Sequence, residues 1–119
     1  MDEAEDDWKA AQTNFDSGKF HWALFIGHLA LEKSLKAFWV KNNAANFPPP
    51  THNLVRLAES AHYTLTPNEE ALLLEVNKFN IAARYPDYKR VFKKTCTRSF
   101  AEMQLKRMEE FRLCILKQL

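Results

Sequence analysis

Glycine is scarce in this chain of 119 residues, which contains only Gly18 and Gly27 beside nine Phe, three Trp and three Tyr. So many bulky apolar side chains, with so few turn-forming glycines, argue against a β-sandwich and favour helices. A chain of this length hides roughly 65% of its extended surface on folding, which is enough for one core without disulfides or metals. The sequence therefore predicts one all-α domain over residues 1–119.

Cysteine clusters and long apolar runs are also missing. Cys96 and Cys114 have no CxxC spacing and no neighbouring histidine, so we expect reduced thiols, with no disulfide, bound metal or other cofactor. We place Cys114 in a core stripe and Cys96 in a loop. The acidic start of the chain is unlike a signal peptide, and polar residues interrupt the most apolar stretch, 20–40. We therefore expect a cytoplasmic protein that has no membrane partner.

Helical periodicity predicts an up-and-down four-helix bundle with an additional short helix. We expect the first helix over residues 2–17 and the second, which is the most apolar and therefore the central one, over 19–42. The prolines of the connection 42–50 cannot continue a helix and bias the chain to an extended conformation. Thr51 or Asn53 then caps a short third helix.

Capping signals mark the later helices. Thr66 begins a capping box that opens the fourth helix, and a proline two residues after Arg84 ends that helix. The stretch 87–98 lacks clean periodicity, and Ser99 begins a second capping box at the start of the last helix. The predicted core comprises Leu24, Leu31, Leu35, Phe38, Leu72, Val76, Phe79 and Phe111.

Charge is distributed unevenly along the chain, although the net charge is only +2. Residues 1–83 carry 7 basic and 11 acidic groups, whereas residues 84–119 carry 10 and 4, so the two parts have formal charges of −4 and +6. Such asymmetry either steers an anionic partner to one face or serves charge pairing between helices of the bundle.

A polar and aromatic stripe follows from the 100° step between successive residues of the second helix. Glu32 and Lys36 can pair one turn apart, and His28 and Glu32 are available for proton transfer or base contacts. The stripe lines a cleft or a symmetric dimer interface, or it is a solvated helix face. Two candidate ligands without a third are too few for a catalytic zinc site. The members of the stripe are His21, Phe25, His28, Glu32, Lys36 and Trp39.

The segment 84–98 combines six basic residues with one acidic residue and three aromatic rings. Basic groups attract phosphates, and aromatic faces stack on bases. The segment is therefore the best candidate binding site in the sequence, and the alternative is a solvated basic connection whose aromatic rings enter the core. The candidate binding residues, together with His28, Glu32 and Lys36, are Arg84, Tyr85, Tyr88, Lys89, Arg90, Lys93 and Lys94.

Four short motifs follow one another along the chain: GKFHWA at 18–23, HLALEKSLKA at 28–37, PTHNL at 50–54 and ARYPD at 83–87. Their order resembles the HEPN domain family. The resemblance implies an up-and-down helical bundle that dimerises and associates with nucleotides or RNA. It also implies frequent occurrence beside a small nucleotidyltransferase in toxin–antitoxin or defence modules.

Many members of that family resemble metal-independent ribonucleases with an Arg-x4-6-His motif near the start of their last core helix. In this chain Arg84 matches the arginine, but Lys89, Arg90 and Val91 stand where the histidine is expected, so the motif is missing. Residues 56–62 fit the same spacing on the short third helix, where the family does not place the motif. The closer likeness is to small members with Arg-Tyr-Pro-Asp in place of the ribonuclease motif.

The resemblance and the basic segment together predict a non-catalytic domain that binds a nucleotide or RNA. We expect it to act with a nucleotidyltransferase partner in a toxin–antitoxin or defence-type module. The alternatives are a ribonuclease toxin, using Arg56 and His62 or Arg84, and a module that only binds another protein. We also expect a homodimer, because the second helix is apolar over more of its surface than its neighbours need and because Phe25 and Trp39 interrupt its polar stripe.

Overall fold

A computed structural model of the protein describes residues 2–42 and 48–119. Part of the predicted proline-rich connection, 43–47, lies outside the described residues. Over the two described ranges the chain forms helices and no strand, which confirms the all-α prediction, and none of these helices is long and apolar enough to cross a membrane. The helices are α1 (Asp2–Asp16), α2 (Phe20–Asn42), α3 (Leu54–Ser60), α4 (Pro67–Arg84), α5 (Pro86–Thr95) and α6 (Arg98–Gln118).

Helix α2 runs through the centre of the bundle. Helix α1 packs against it in the opposite direction, since Lys33 Nζ lies 2.7 Å from Oδ2 of Asp7. Helix α6 runs in the same direction as α2, because Gly27 in the first half of α2 faces Met108 in the middle of α6, and Lys41 near the end of α2 donates to a carbonyl at the end of α6. A Cβ on Gly27 would lie 2.6 Å from Cε of Met108, so the lack of a side chain lets α6 approach closely.

The core lies between the long helices and contains every residue predicted for it. Leu31 and Leu35 have no exposed surface, and burying such a side chain stabilises the fold by about 1.5–3 kcal/mol. Tyr63, which follows α3, places its ring beside those of Phe38 and Phe111, with ring centroids 5.3 and 5.5 Å away. The confirmed core residues are Leu24, Leu31, Leu35, Phe38, Leu72, Val76, Phe79 and Phe111.

Side-chain caps define the starts of α3, α4 and α6. Thr66 forms the predicted capping box at the start of α4, and Asn53, rather than Thr51, caps α3. The predicted capping box at Ser99 is wrong, because α6 already begins at Arg98. Thr97 is extended, with φ −74° and ψ 166°, and its hydroxyl accepts from the backbone of the third helical residue. The start of α6 is therefore two residues earlier than its sequence indicates.

The stretch after Arg84 is more regular than its sequence indicates. Pro86 occupies the first turn of α5, where its missing N–H is not needed. Phe92 stacks on Phe79 of α4 with ring centroids 5.2 Å apart, which holds α5 on the bundle. No residue of α5 is buried, but its apolar residues at positions 88, 91 and 92 recur at helical spacing and border one groove. The expectation that this stretch lacks clean periodicity was therefore wrong. Within residues 48–119 the structure has two short helices, α3 and α5, where one was predicted.

The two free cysteines lie in different surroundings. Cys96 lies between α5 and α6 as predicted for a loop residue, but it is buried, and burial raises the pKa of its thiol to about 12. Cys114 is exposed, so its placement in the core was wrong. The buried face of α6 passes through Met108, Phe111 and Ile115 and leaves position 114 outside it.

Candidate functional site

The polar stripe of α2 is buried where it passes the segment before α3. His28 has no exposed surface and Glu32 is only 6% exposed, so a solvated helix face is the wrong interpretation for these two residues. Trp39 is also buried and donates from Nε1 to Ser60 Oγ at 2.8 Å, so it adds no exposed apolar surface to α2. The stripe therefore serves an internal contact over much of its length.

Glu32 is the centre of a small hydrogen-bonded cluster. Its Oε1 accepts from Nδ1 of His52 at 2.7 Å, and its Oε2 accepts from Nζ of Lys36 at 3.2 Å. Burial raises the pKa of the Glu32 carboxyl, but these two hydrogen bonds outweigh burial and hold that pKa below its ordinary value. Glu32 is therefore ionised at neutral pH, and it orients an imidazole that is 47% exposed.

His28 lies beside this cluster and is neutral. Its Nε2 is 3.0 Å from the backbone carbonyl of His52, which can only accept, so Nε2 carries the hydrogen. Burial holds the pKa of His28 below its ordinary value, although the bond to His52 and the charge of Glu32 oppose burial; the charge of Arg84 acts in the same direction as burial. Nδ1 of His28 is buried and has no hydrogen-bond partner among the described residues. Arg84 of the ARYPD motif thus lies close to the buried histidine of α2.

Two asparagines tie the PTHNL segment to α4. Asn53 Oδ1 caps α3 and also accepts from Nδ2 of Asn77 at 3.0 Å. Asn77 Oδ1 in turn accepts from the backbone N–H of Leu54 at 2.8 Å. These bonds hold His52 over Glu32, although His52 was not among the predicted site residues. Its position directly before a helix-capping residue, inside one of the four motifs, was the signal that could have revealed it.

One face of α4 continues the cluster toward Arg84. This face begins at Asn77 and continues three, four and seven residues later with Asn80, Ile81 and Arg84. Such spacing places all four residues on the same side of the helix. Asn80 is buried with 6% of its surface exposed. Together with His52, the first three residues of this face border a pocket of 160 Å³, which also touches the cap of α3.

Helix α5 brings two predicted basic residues to the start of α2. Lys89 Nζ lies 5.0 Å from the ring centroid of Trp22, within the range of a cation–π contact. Burial lowers the pKa of His21, and the charges of Lys93 and Lys89 lower it further. Both lysines therefore lie near the imidazole ring of His21, and Lys93 lines the same pocket as His21. The structure therefore aligns Arg84, Lys89 and Lys93 along the N-terminal half of α2.

The remaining predicted binding residues lie on other faces of α5. Tyr88 borders an apolar groove of 380 Å³ between α4 and α5, which also includes Ile81 and Val91. Tyr85 lies beside Tyr88, with ring centroids 6.3 Å apart. The basic residues of the predicted segment therefore do not form one patch. Those that are exposed on the outer side of α5 are Arg90 and Lys94.

The alternative ribonuclease pair lies elsewhere. Arg56 is exposed on α3, and His62 follows that helix in a left-handed turn with φ 61°. His62 is thus at the opposite end of α3 from His52, and the 7 residues of that helix span about 10 Å. The described residues contain no group of three or more His, Cys, Asp or Glu side chains that could hold a metal ion.

The fold and the cluster define a class of protein. It is an all-α bundle in which polar side chains join the central helix α2 to the segment that caps α3, and that segment to α4. The family model described as HEPN domain matches residues 1–119, and the chain belongs to the HEPN domain family. Neither a curated protein nor a solved structure matches the chain. The family resemblance of the four motifs is therefore confirmed at the level of the family, and the structure brings residues of HLALEKSLKA, PTHNL and ARYPD together.

Proposed function

We propose that this HEPN domain binds a nucleotide or a short RNA segment through its phosphates. The surface that binds them comprises Arg84, Lys89 and Lys93 beside the N-terminal half of α2. One observation carries the proposal: Lys89 contacts the ring of Trp22 and Lys93 lines a pocket together with His21, while the charge of Arg84 acts on His28 of the same helix. Three cations thus border the polar stripe of the apolar helix α2, and such groups attract phosphates.

The charges near this surface favour an anion. Glu32 is the nearest carboxylate of α2, and it is already paired with Lys36 and hydrogen-bonded to His52. Arg84 is exposed and has no ion pair within the described part of the chain. Its guanidinium can therefore form charge-assisted hydrogen bonds with a phosphate.

The test uses two triple variants with the same loss of charge. R84A/K89A/K93A removes the proposed surface, and K78A/R90A/K94A removes three exposed cations outside it. Labelled single-stranded RNA and a nucleoside triphosphate are titrated at two salt concentrations. We expect the first variant to lose about tenfold or more in affinity and to show a shallower salt dependence, because up to three phosphate contacts are lost. The control variant should lose less than about threefold.

Equal losses in the two variants would mean that affinity follows net charge alone. Unchanged affinity in R84A/K89A/K93A would show that the basic segment only connects helices and does not bind phosphates. Circular dichroism of both variants confirms that each is folded before the titrations are compared.

We further propose that the chain forms a homodimer and acts with a nucleotidyltransferase partner in a toxin–antitoxin or defence-type module. Family membership supports the partnership. Exposed apolar side chains on α4 and α5 support association, since Ile81 is 46% exposed and Val91 is 66% exposed. Light scattering at micromolar concentration tests the dimer, and a mass near that of one 13.9 kDa chain would contradict it.

RNA cleavage is a second candidate function, which a different observation favours. The carboxylate of Glu32 orients His52, and Arg84 lies near the same cluster, so an exposed imidazole with a fixed tautomer adjoins a cation. An imidazole held in this way can accept a proton. If the purified chain cleaves RNA, His52→Ala should abolish cleavage and His62→Ala should leave it intact; the reverse result would select the site on α3.

A further inference from the structure

A small polar pocket opens between the cap of α3 and the middle of α4. Its volume is 160 Å³, and His52, Asn53, Asn77, Asn80 and Ile81 line it. A protein cavity of about 150 Å³ accommodates one six-membered ring. The pocket therefore has room for a single ring, and its lining of amides and an imidazole suits a ring with polar edges rather than a hydrocarbon.

Two of its three asparagines are already used by the fold. Asn53 Oδ1 accepts from the backbone N–H groups of Val55 and Arg56 and from Nδ2 of Asn77. Asn77 Oδ1 accepts from the N–H of Leu54. These amides build the wall of the pocket, and their main hydrogen-bonding groups face each other and the start of α3.

The third asparagine retains its hydrogen-bonding capacity. Asn80 is 94% buried, being 6% exposed, and its side chain forms no hydrogen bond with the rest of the described chain. The amide atoms of Asn80 are not enclosed by the fold, so they are open to the pocket and available to a ligand. A carboxamide presents one acceptor beside one donor. The complementary edge of a ligand therefore carries a donor beside an acceptor.

A pyrimidine base has such an edge on a single six-membered ring. Cytosine presents its amino group beside N3, and uracil presents its N3–H beside O4. Ile81 is 46% exposed at the same wall and supplies apolar surface for the face of the ring. One turn further along α4, about 6 Å along the helix axis, Arg84 is placed to meet a phosphate of the same nucleotide.

We propose that Asn80 recognises the edge of a pyrimidine base, with Ile81 against the ring, when a nucleotide or RNA segment occupies the cationic surface. The pocket thereby gives the site its base preference. This inference rests on the proposed function, because the phosphate contact at Arg84 positions the base.

The first experiment uses the unaltered chain. Isothermal titration compares CMP and UMP with AMP and with ribose 5-phosphate, which has the same phosphate and no base. We expect the pyrimidine nucleotides to bind about tenfold or more tightly than ribose 5-phosphate, and AMP to bind more weakly than they do. If ribose 5-phosphate binds as well as CMP, or AMP binds as well as CMP, the base pocket is overturned while phosphate binding stands. If none of the four binds, the proposed function itself fails.

A second experiment assigns the preference to the pocket. Asn80→Ala should lower affinity for CMP about tenfold and leave ribose 5-phosphate unchanged, because the paired hydrogen bonds to the base edge are lost. The matched control is Asn68→Ala, an exposed asparagine in the first turn of the same helix. Should Asn80→Ala fail to fold, Ile81→Ala tests the same wall at an exposed position, with a loss for CMP and none for ribose 5-phosphate. Unchanged CMP affinity in the folded pocket variants would overturn the proposal.

Discussion

Two of the networks of polar side chains that join helices in this bundle differ in what they leave unused. Between α4 and α6, Gln104 and Arg107 both donate to the carboxylate of Glu75, at 2.9 and 3.1 Å, and Arg107 also donates to Oε1 of Gln104 at 3.1 Å. Between α2, the cap of α3 and α4, Glu32 is bonded on both oxygens, but Nδ1 of His28 has no partner among the described residues. We call the first network closed, because its polar groups bond to one another, and the second open, because it leaves a buried polar atom without a partner.

The difference bears on what each network contributes to the protein. A closed network satisfies its polar groups and fixes how two helices pack. An open network lowers stability, because buried donors or acceptors are not compensated within the fold. Such a cost is expected where the unused groups face a ligand. The comparison therefore assigns the α4–α6 network to packing and supports our proposal that the α2–α4 cluster takes part in binding.

The largest expected effect comes from removing the charge of Glu32. Glu32→Gln should lower the free energy of unfolding at pH 7 by about 1–3 kcal/mol, since two charge-assisted hydrogen bonds are weakened on a buried side chain. Because the pKa of Glu32 is lowered in the folded protein, this contribution is present above the ordinary pKa and is lost as pH falls through the folded value. Denaturant unfolding of both proteins at several pH values measures the difference. A gap that stays constant on acidification would show that ionisation of Glu32 is not its source.

An intermediate effect is expected from His28. The pKa of His28 is below 6.5 in the folded protein, so below about pH 6.5 the unfolded chain binds a proton that the folded chain does not. Stability should therefore fall as pH drops from 6.5 toward the folded value. His28→Gln, whose amide can still donate to the carbonyl of His52, should flatten this part of the profile. Identical slopes for the two proteins between pH 6.5 and 5 would contradict a buried neutral imidazole.

The smallest effect is expected in the closed network. Arg107 and Glu75 are about one third exposed, with side-chain exposures of 36% and 35%, and pairs of this kind contribute less than about 1 kcal/mol. Arg107→Ala should thus destabilise the protein by less than Glu32→Gln does, and the difference should shrink in high salt. Chemical unfolding at low and high salt measures it. A loss above that of Glu32→Gln would reverse the contrast between the two networks.

Most of the fold could be predicted from local sequence signals. The periodic apolar residues of α2, including Leu31 and Leu35, and the capping box at Thr66 depend on neighbours within one or two turns, so they can be read without tertiary information. The start of α6 was misplaced because Thr97 and Ser99 both have capping side chains, and only the extended backbone at position 97 decides between them.

The site was predicted in part. His28, Glu32, Lys36 and Arg84 were identified from their own helices, and the structure places them near one another. The contribution of His52 depends on a contact between residues 20 positions apart, and that of Asn80 on which face of α4 turns inward. Both are tertiary facts that a single sequence does not encode in any short pattern.

The thin attachment of α5 has a consequence for motion. This helix has no buried residue, and the stack of Phe92 on Phe79 and the contact of Lys89 with Trp22 are among the contacts that hold it. Elements with few buried contacts open locally at a lower free energy than the whole domain. The backbone amides of α5 should therefore exchange with deuterium sooner than those of α2. Two of the three cations of the proposed surface, Lys89 and Lys93, lie on this helix. A bound phosphate would therefore slow amide exchange in α5 more than in α2.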